Sequence, residues 1–209
     1  MTEQTTTAAY RLVVPDGWFV IDLEPGRRER SIAALVERQF AGIDNVPHLK
    51  AQARHETLAK AESAYSAGGV EMFLSLQQIA GIPVAASLVI FLVPPPATGA
   101  VTAEELAATL AGDEGQVSVV DLPAGTSVRL LRRAGSDGRD GTAAFDGSAG
   151  RDGSAAFDGD AASATLEVFA PVPDSGWWLL LSFAAPIGPL APALTKLFDA
   201  ISMTLRWDR

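Results

Sequence analysis

His48 and His55 are the only imidazoles in this 209-residue chain, and they fall on one helical stretch near Glu56 and Glu62. A helix-borne zinc pair needs histidines four residues apart and a third ligand from elsewhere. A seven-residue spacing spans two turns, about 10 Å of axial rise, so one ion does not easily bridge both rings. Ordinary surface histidines are the expected reading. Arg27, Arg28 and Arg30 stand where a helix begins, with Arg38 further along it. Cations at that end oppose the macrodipole, at about 0.3–1 kcal/mol each when exposed. They read either as a patch for an anion or acidic partner, or as a solvated first turn neutralised by Glu24 and Glu29.

The Asp-Gly steps at Asp137, Asp140, Asp146, Asp152 and Asp158 invite a calcium reading. Calcium takes six to eight oxygens, and an EF-hand loop closes on a bidentate Glu. No Glu occurs here. The steps belong to two copies of a 12-residue unit, Gly138 to Ala149 and Gly150 to Ala161, a period unlike the nonapeptide of calcium-binding rolls. A duplicated, disordered hairpin loop is expected, at little thermodynamic cost because loop closure grows slowly with length. Its removal should leave the thermal midpoint nearly unchanged. Phe145 and Phe157 are its candidate anchors for a partner.

Carboxylates for acid–base work exist at Glu71, Glu104, Glu105 and Glu167, but the sequence places none inside an apolar strand where burial would raise its pKa. There is no Gly-x-Ser-x-Gly, His-Glu-x-x-His or Walker motif. The absence of cysteine rules out thiol catalysis, thiolate zinc and iron–sulfur chemistry. No catalytic residue, metal ligand or cofactor is therefore assigned. A Trp in an apolar strand is normally core, yet Trp18 or Trp177 turned outward would suit a partner contact.

The elements that must position these residues follow from the pattern. Tyr10 to Val14 and Trp18 to Leu23 read as an opening hairpin about Pro15-Asp16-Gly17. Ile32, Leu35, Val36 and Phe40 predict a helix from Arg27 to Ala41. A second runs from Val46 to Ala67, with Ala51, Leu58, Ala61 and Tyr65 on its apolar stripe and Gly68-Gly69 as its stop. Met72–Ile79 and Val84–Val93 form the next hairpin, whose second arm has no polar face and needs cover on both sides. Thr102-Ala103-Glu104-Glu105 is a capping box before a short helix. Strands at Val117–Leu122, Thr126–Arg133, Ala164–Val172 and Trp177–Phe183 follow, then a helix from Leu190 and a short extended end.

The totals narrow the partners. A net charge of −9 argues against nucleic acid, whose binding rests on neutralising phosphates. The apolar run Ile79 to Val93 is too short to span a bilayer and contains Gly81 and Pro83. Residues 1–9 lack a basic and an apolar signal region, so a polar tail, one domain over 10–209 with a flexible loop at 134–163, and a cytoplasmic setting are expected.

Val14-Pro15-Asp16-Gly17-Trp18 and Leu197-Phe198-Asp199-Ala200-Ile201-Ser202-Met203-Thr204-Leu205-Arg206-Trp207 resemble the ends of the PsbP-like superfamily, which includes photosystem II extrinsic subunits, a Ran-binding nuclear import factor and bacterial lipoproteins. The resemblance implies an α+β fold, an antiparallel sheet covered by helices as an α/β/α sandwich, acting as a binding or assembly module without catalysis. The chain differs in carrying two consecutive helices after the opening strands and in showing no lipobox or transit peptide. A bacterial accessory protein that binds another protein in a secretion or macromolecular assembly is the function expected, through Trp18, Arg27, Arg28, Arg30 and Arg38. A small-ligand carrier lined by Phe73, Leu88, Ile90 and Phe91 is the second reading, and an enzyme the third.

Overall fold

The computed structural model describes residues 9–43, 45–75, 78–79, 82–83, 86–111, 115–133, 163–186 and 190–208. The expected tail at 1–8 and the duplicated loop at 134–162 lie outside them. In chain order the elements are β1 (Tyr10–Arg11), β2 (Trp18–Asp22), α1 (Pro25–Gln39), α2 (Pro47–Ser66), β3 (Gly69–Ser75), β4 (Gln78–Ile79), β5 (Ile82–Pro83), β6 (Ser87–Val93) and α3 (Ala103–Leu110). There follow β7 (Gln116–Leu122), β8 (Gly125–Arg133), β9 (Ser163–Pro171), β10 (Trp178–Pro186), α4 (Ala191–Ser202) and β11 (Arg206–Trp207).

Seven strands form one antiparallel sheet in the order β2-β3-β6-β10-β9-β8-β7. It is two meanders joined where β6 meets β10, from Trp178 opposite Val93 to Ala184 opposite Ser87. The strand with no polar face, β6, therefore lies inside the sheet, where both of its faces are covered. Leu88 and Ile90 pack on the side of α4, with Phe183 and Phe198. Val89 and Phe91 pack on the other side with Ile32, Leu35 and Val36 of α1 and Ala61 and Ala64 of α2. Farther along that side, Leu106 and Leu110 of α3 cover Val128, Leu130 and Phe169. The α+β class and the helix–sheet–helix layering are as the sequence predicts. Among the described residues no helix is long and apolar enough to cross a membrane.

Local chemistry sets the boundaries. Thr102 Oγ1 accepts from the Glu105 amide at 3.2 Å, and Glu105 Oε2 accepts from the Thr102 amide at 2.8 Å, completing the capping box. Gly68 takes a φ of +86° after α2, the left-handed conformation that ends a helix at glycine.

The opening hairpin does not form. Trp18 does donate its amide back to Pro15 O at 3.3 Å, with Gly17 at a φ of +88°, so the turn is present. The strand before it is only Tyr10–Arg11, and it pairs with β11 instead, Tyr10 opposite Trp207 and Arg11 opposite Arg206. The Asp208 amide extends this ribbon to Ala9 O at 2.8 Å. Tyr10 and Trp207 meet edge to face, and the indole of Trp207 donates to Ala124 O at 3.0 Å. The half-buried edge-to-face contact, the indole hydrogen bond and the backbone ribbon together outweigh a local pairing across the Pro15 turn.

Candidate interaction surface

Helices α1 and α2 lie side by side on one face of the sheet and concentrate the chain's cations. Residues 25–66 carry seven of the sixteen Lys and Arg but only five of the twenty-five Asp and Glu. This pair of helices is thus net positive in a molecule of charge −9.

Four of the arginines singled out from the sequence lie on α1, and the structure divides them. Arg28 is turned inward, its side chain 11% exposed. It donates to Glu62 of α2 at 3.1 Å and stands 5.9 Å from the ring centroid of Tyr65. Its Nε is buried and without a hydrogen-bond partner among the described residues. Arg28 therefore joins two helices and is withdrawn from the exposed surface. Arg27 bridges Asp22 at 2.8 Å and also pairs with Glu24, the residue that caps α1. Those two carboxylates offset the unfavourable placement of cations at the helix start. Glu24 was expected to do so; Asp22, which lies in the preceding strand, and Glu62, 34 residues on from Arg28, were not.

Arg30 and Arg38 are exposed and, among the described residues, make no ion pair. Arg38 falls in the last turn of α1, where a cation suits the helix end. On α2, Arg54, His48 and His55 are exposed too, and Lys50 pairs with Glu37 at 2.7 Å across the two helices. The expected stripe of α2 is displaced: Ala53, Leu58, Ala61 and Ala64 face the core, while Ala51 and Tyr65 are exposed. Tyr65 is recruited by Arg28 and not by the apolar layer. Ile43 and Leu49 are exposed where one helix passes to the next. The two helices and their connection thus expose two guanidinium groups, an aromatic ring and two aliphatic side chains, residue types suited to partner contacts.

Trp18 is not on it. Only 8% exposed, it meets Phe198 of α4 edge to face at 6.4 Å on the opposite side of the sheet. Its neighbour Phe19 packs under α1. Alternation along a strand turns one of two adjacent rings to solvent only if its face is open at that point, and at Trp18 that face is covered by Phe198 of α4. Nor do the residues proposed to line a ligand cavity share one. Phe73, Leu88 and Ile90 pack on the α4 side and Phe91 on the α1–α2 side, all within close-packed core.

Of the carboxylates weighed from the sequence, Glu167 and Glu71 stand within strands, Glu71 because β3 starts at Gly69 and not at Met72. Glu167 of β9, with its side chain 18% exposed, binds Arg132 at 2.6 Å. Glu71 of β3 accepts a hydrogen bond from the Tyr10 hydroxyl at 2.8 Å and lies opposite Asp22 in register. Burial, then the Glu71 charge and the hydrogen bond to it, raise the Tyr10 pKa well above that of a free tyrosine. These groups hold strands and the β1–β11 ribbon in place, and each partner is a residue of the fold.

No protein-family model and no curated protein matches the chain. Solved structures do. It is similar to cyanobacterial PsbP (CyanoP) from Synechocystis sp. PCC 6803, at 13% identity over 95% of this chain and 86% of that one, with a TM-score of 0.45. It is similar to LpqN, involved in cell envelope biogenesis of Mycobacterium tuberculosis, at 10% identity over 99% and 88%, with a TM-score of 0.47. It is similar to the Saccharomyces cerevisiae Ran-binding protein Mog1p, at 13% identity over 95% and 89%, with a TM-score of 0.45. These are likenesses of overall fold, and the fold description rests on the topology given above.

Proposed function

We propose that this protein is a non-enzymatic accessory protein of the bacterial cytoplasm, serving a secretion or other macromolecular assembly by binding another protein through the outer face of α1 and α2. The observation that supports this reading is the charge segregation. A chain of net charge −9 places seven of its sixteen cations on one helical pair and leaves Arg30 and Arg38 exposed there. An acidic protein surface is steered toward such a patch and repelled by the remainder of the molecule.

The test is affinity isolation from the native host at low and raised salt, with the wild-type chain and with Arg30→Glu/Arg38→Glu. A stoichiometric protein retained by the wild type, released by salt and lost from the double variant supports the proposal. A partner held equally by both, or none held by either, refutes it. Because both side chains are exposed, the double variant should keep the wild-type melting temperature.

A further inference from the structure

One border of the sheet is left open. Strand β7 ends the strand order, and among the described residues no backbone group bonds its outer side. Proteins guard such borders with lysine, proline, bulges or very short strands. None of these protects β7. It is seven residues long, its register with β8 is unbroken from Gln116 opposite Leu131 to Leu122 opposite Gly125, and its sole charge is Asp121. Val119 at its centre is 40% exposed. The opposite border, β2, is shorter, starts at the Pro15–Trp18 turn and ends at the Asp22–Arg27 ion pair.

The geometry points to a second copy of this chain as the occupant, paired β7 to β7 about a two-fold axis through Val119. Whichever alternate residues direct their amides and carbonyls outward, antiparallel pairing about one residue matches donors to acceptors. In this register Val119 meets its own copy, Ser118 meets Val120, Val117 meets Asp121 and Gln116 meets Leu122. No two charges are opposite. The two Asp121 carboxylates fall four residues apart along the strands, about 14 Å, beyond the screening length of about 8 Å at physiological salt.

A depression of about 540 Å³ at the Gln116 end of β7, lined by Ala111, Gly115, Gln116, Val117, Ser118 and Arg129, lies where Leu122 of the second copy arrives. Each copy sets that leucine into the other's hollow, covering part of it. A β7-to-β2 contact would instead be head to tail and grow into filaments, whereas the two-fold pairing closes. Since each copy carries a charge of −9, added salt strengthens this contact. The same salt weakens an acidic partner's hold on α1 and α2, so the two surfaces are distinguishable.

The chain contains no cysteine, which makes the test direct. Cα atoms paired across antiparallel strands are about 4.5–5.5 Å apart, inside the disulfide range. Val119→Cys should therefore cross-link to a covalent dimer under mild oxidation, while Val20→Cys, exposed on β2, should not. Sedimentation should give twice the 21.8 kDa chain mass for the wild type and a single chain for Val119→Lys. A wild type that remains monomeric at high concentration and high salt overturns the inference, as does Val119→Cys cross-linking no more than Val20→Cys. If Val119→Lys fails to fold, the cysteine pair still decides.

Discussion

Beneath α4 the sheet is packed with rings: Phe183 stacks on Phe198 at 4.8 Å, and Trp18 meets Phe198 edge-on. Beneath α1 and α2 it meets Phe19, Phe91, aliphatic side chains and the alanines Ala53, Ala61 and Ala64, with no stacked ring pair among the described residues, and the two helices are tied by Arg28–Glu62 and Lys50–Glu37. The comparison separates cohesion from recognition. Stacked and edge-on rings close the first face, where Asp199 of α4 also holds Arg129 of β8 at 2.7 Å, and the burial of those rings supplies stability that does not depend on the second. Alanines on the second let α2 approach the sheet while long cationic chains extend outward, so its surface is free to differ in charge from the rest of the molecule.

Three substitutions can break or sharpen this contrast. Phe198→Ala should cost about 3–5 kcal/mol, because it removes the ring shared by Phe183 and Trp18 and leaves a cavity. Denaturant unfolding reads the loss, and a cost under 1 kcal/mol would mean that the α4 face is not the cohesive one. Arg28→Ala should cost about 1 kcal/mol, through lost packing and a pair whose acidic member is half exposed. Arg28→Met should restore much of it, since it refills the volume and removes the unpartnered Nε. A larger loss in Arg28→Met would show that charge, not packing, joins the two helices.

An effect of similar size, but dependent on pH, belongs to Tyr10. Its raised pKa means that the folded chain keeps the phenolic proton after an unfolded chain has lost it. The stabilising contribution is full below the unfolded value of about 10 and declines as pH rises above it. Tyr10→Phe should lower stability at neutral pH by about 1 kcal/mol and flatten the alkaline decline above pH 10. An unchanged alkaline limb in melting experiments would contradict the link to Glu71.

Much of this division was legible from residue order. The doubly apolar arm Ser87–Val93 announced a strand covered on both sides, Thr102 and Glu105 announced a helix start, and Leu194, Phe198 and Ile201 announced the buried stripe of α4. Pairings between distant residues were not. Tyr10 opposite Trp207, Trp18 on Phe198 and Arg28 on Glu62 are contacts that local periodicity does not encode. Their absence from the pattern is why Trp18 and Arg28 read as surface residues and why a hairpin was expected at Pro15. Arg30 and Arg38 were legible because an exposed helical cation needs no partner to be placed correctly.

The seam between β6 and β10 has a consequence for how the protein is made. Ribosomes deliver β6 long before β10, with residues 94–177 still to come. Until Trp178 emerges, the greasiest stretch of the nascent polypeptide has a neighbour on one flank alone, β3. Vectorial synthesis therefore exposes an adhesive intermediate, and holdase chaperones should engage this protein more strongly when translation is stalled between residues 94 and 177 than after release.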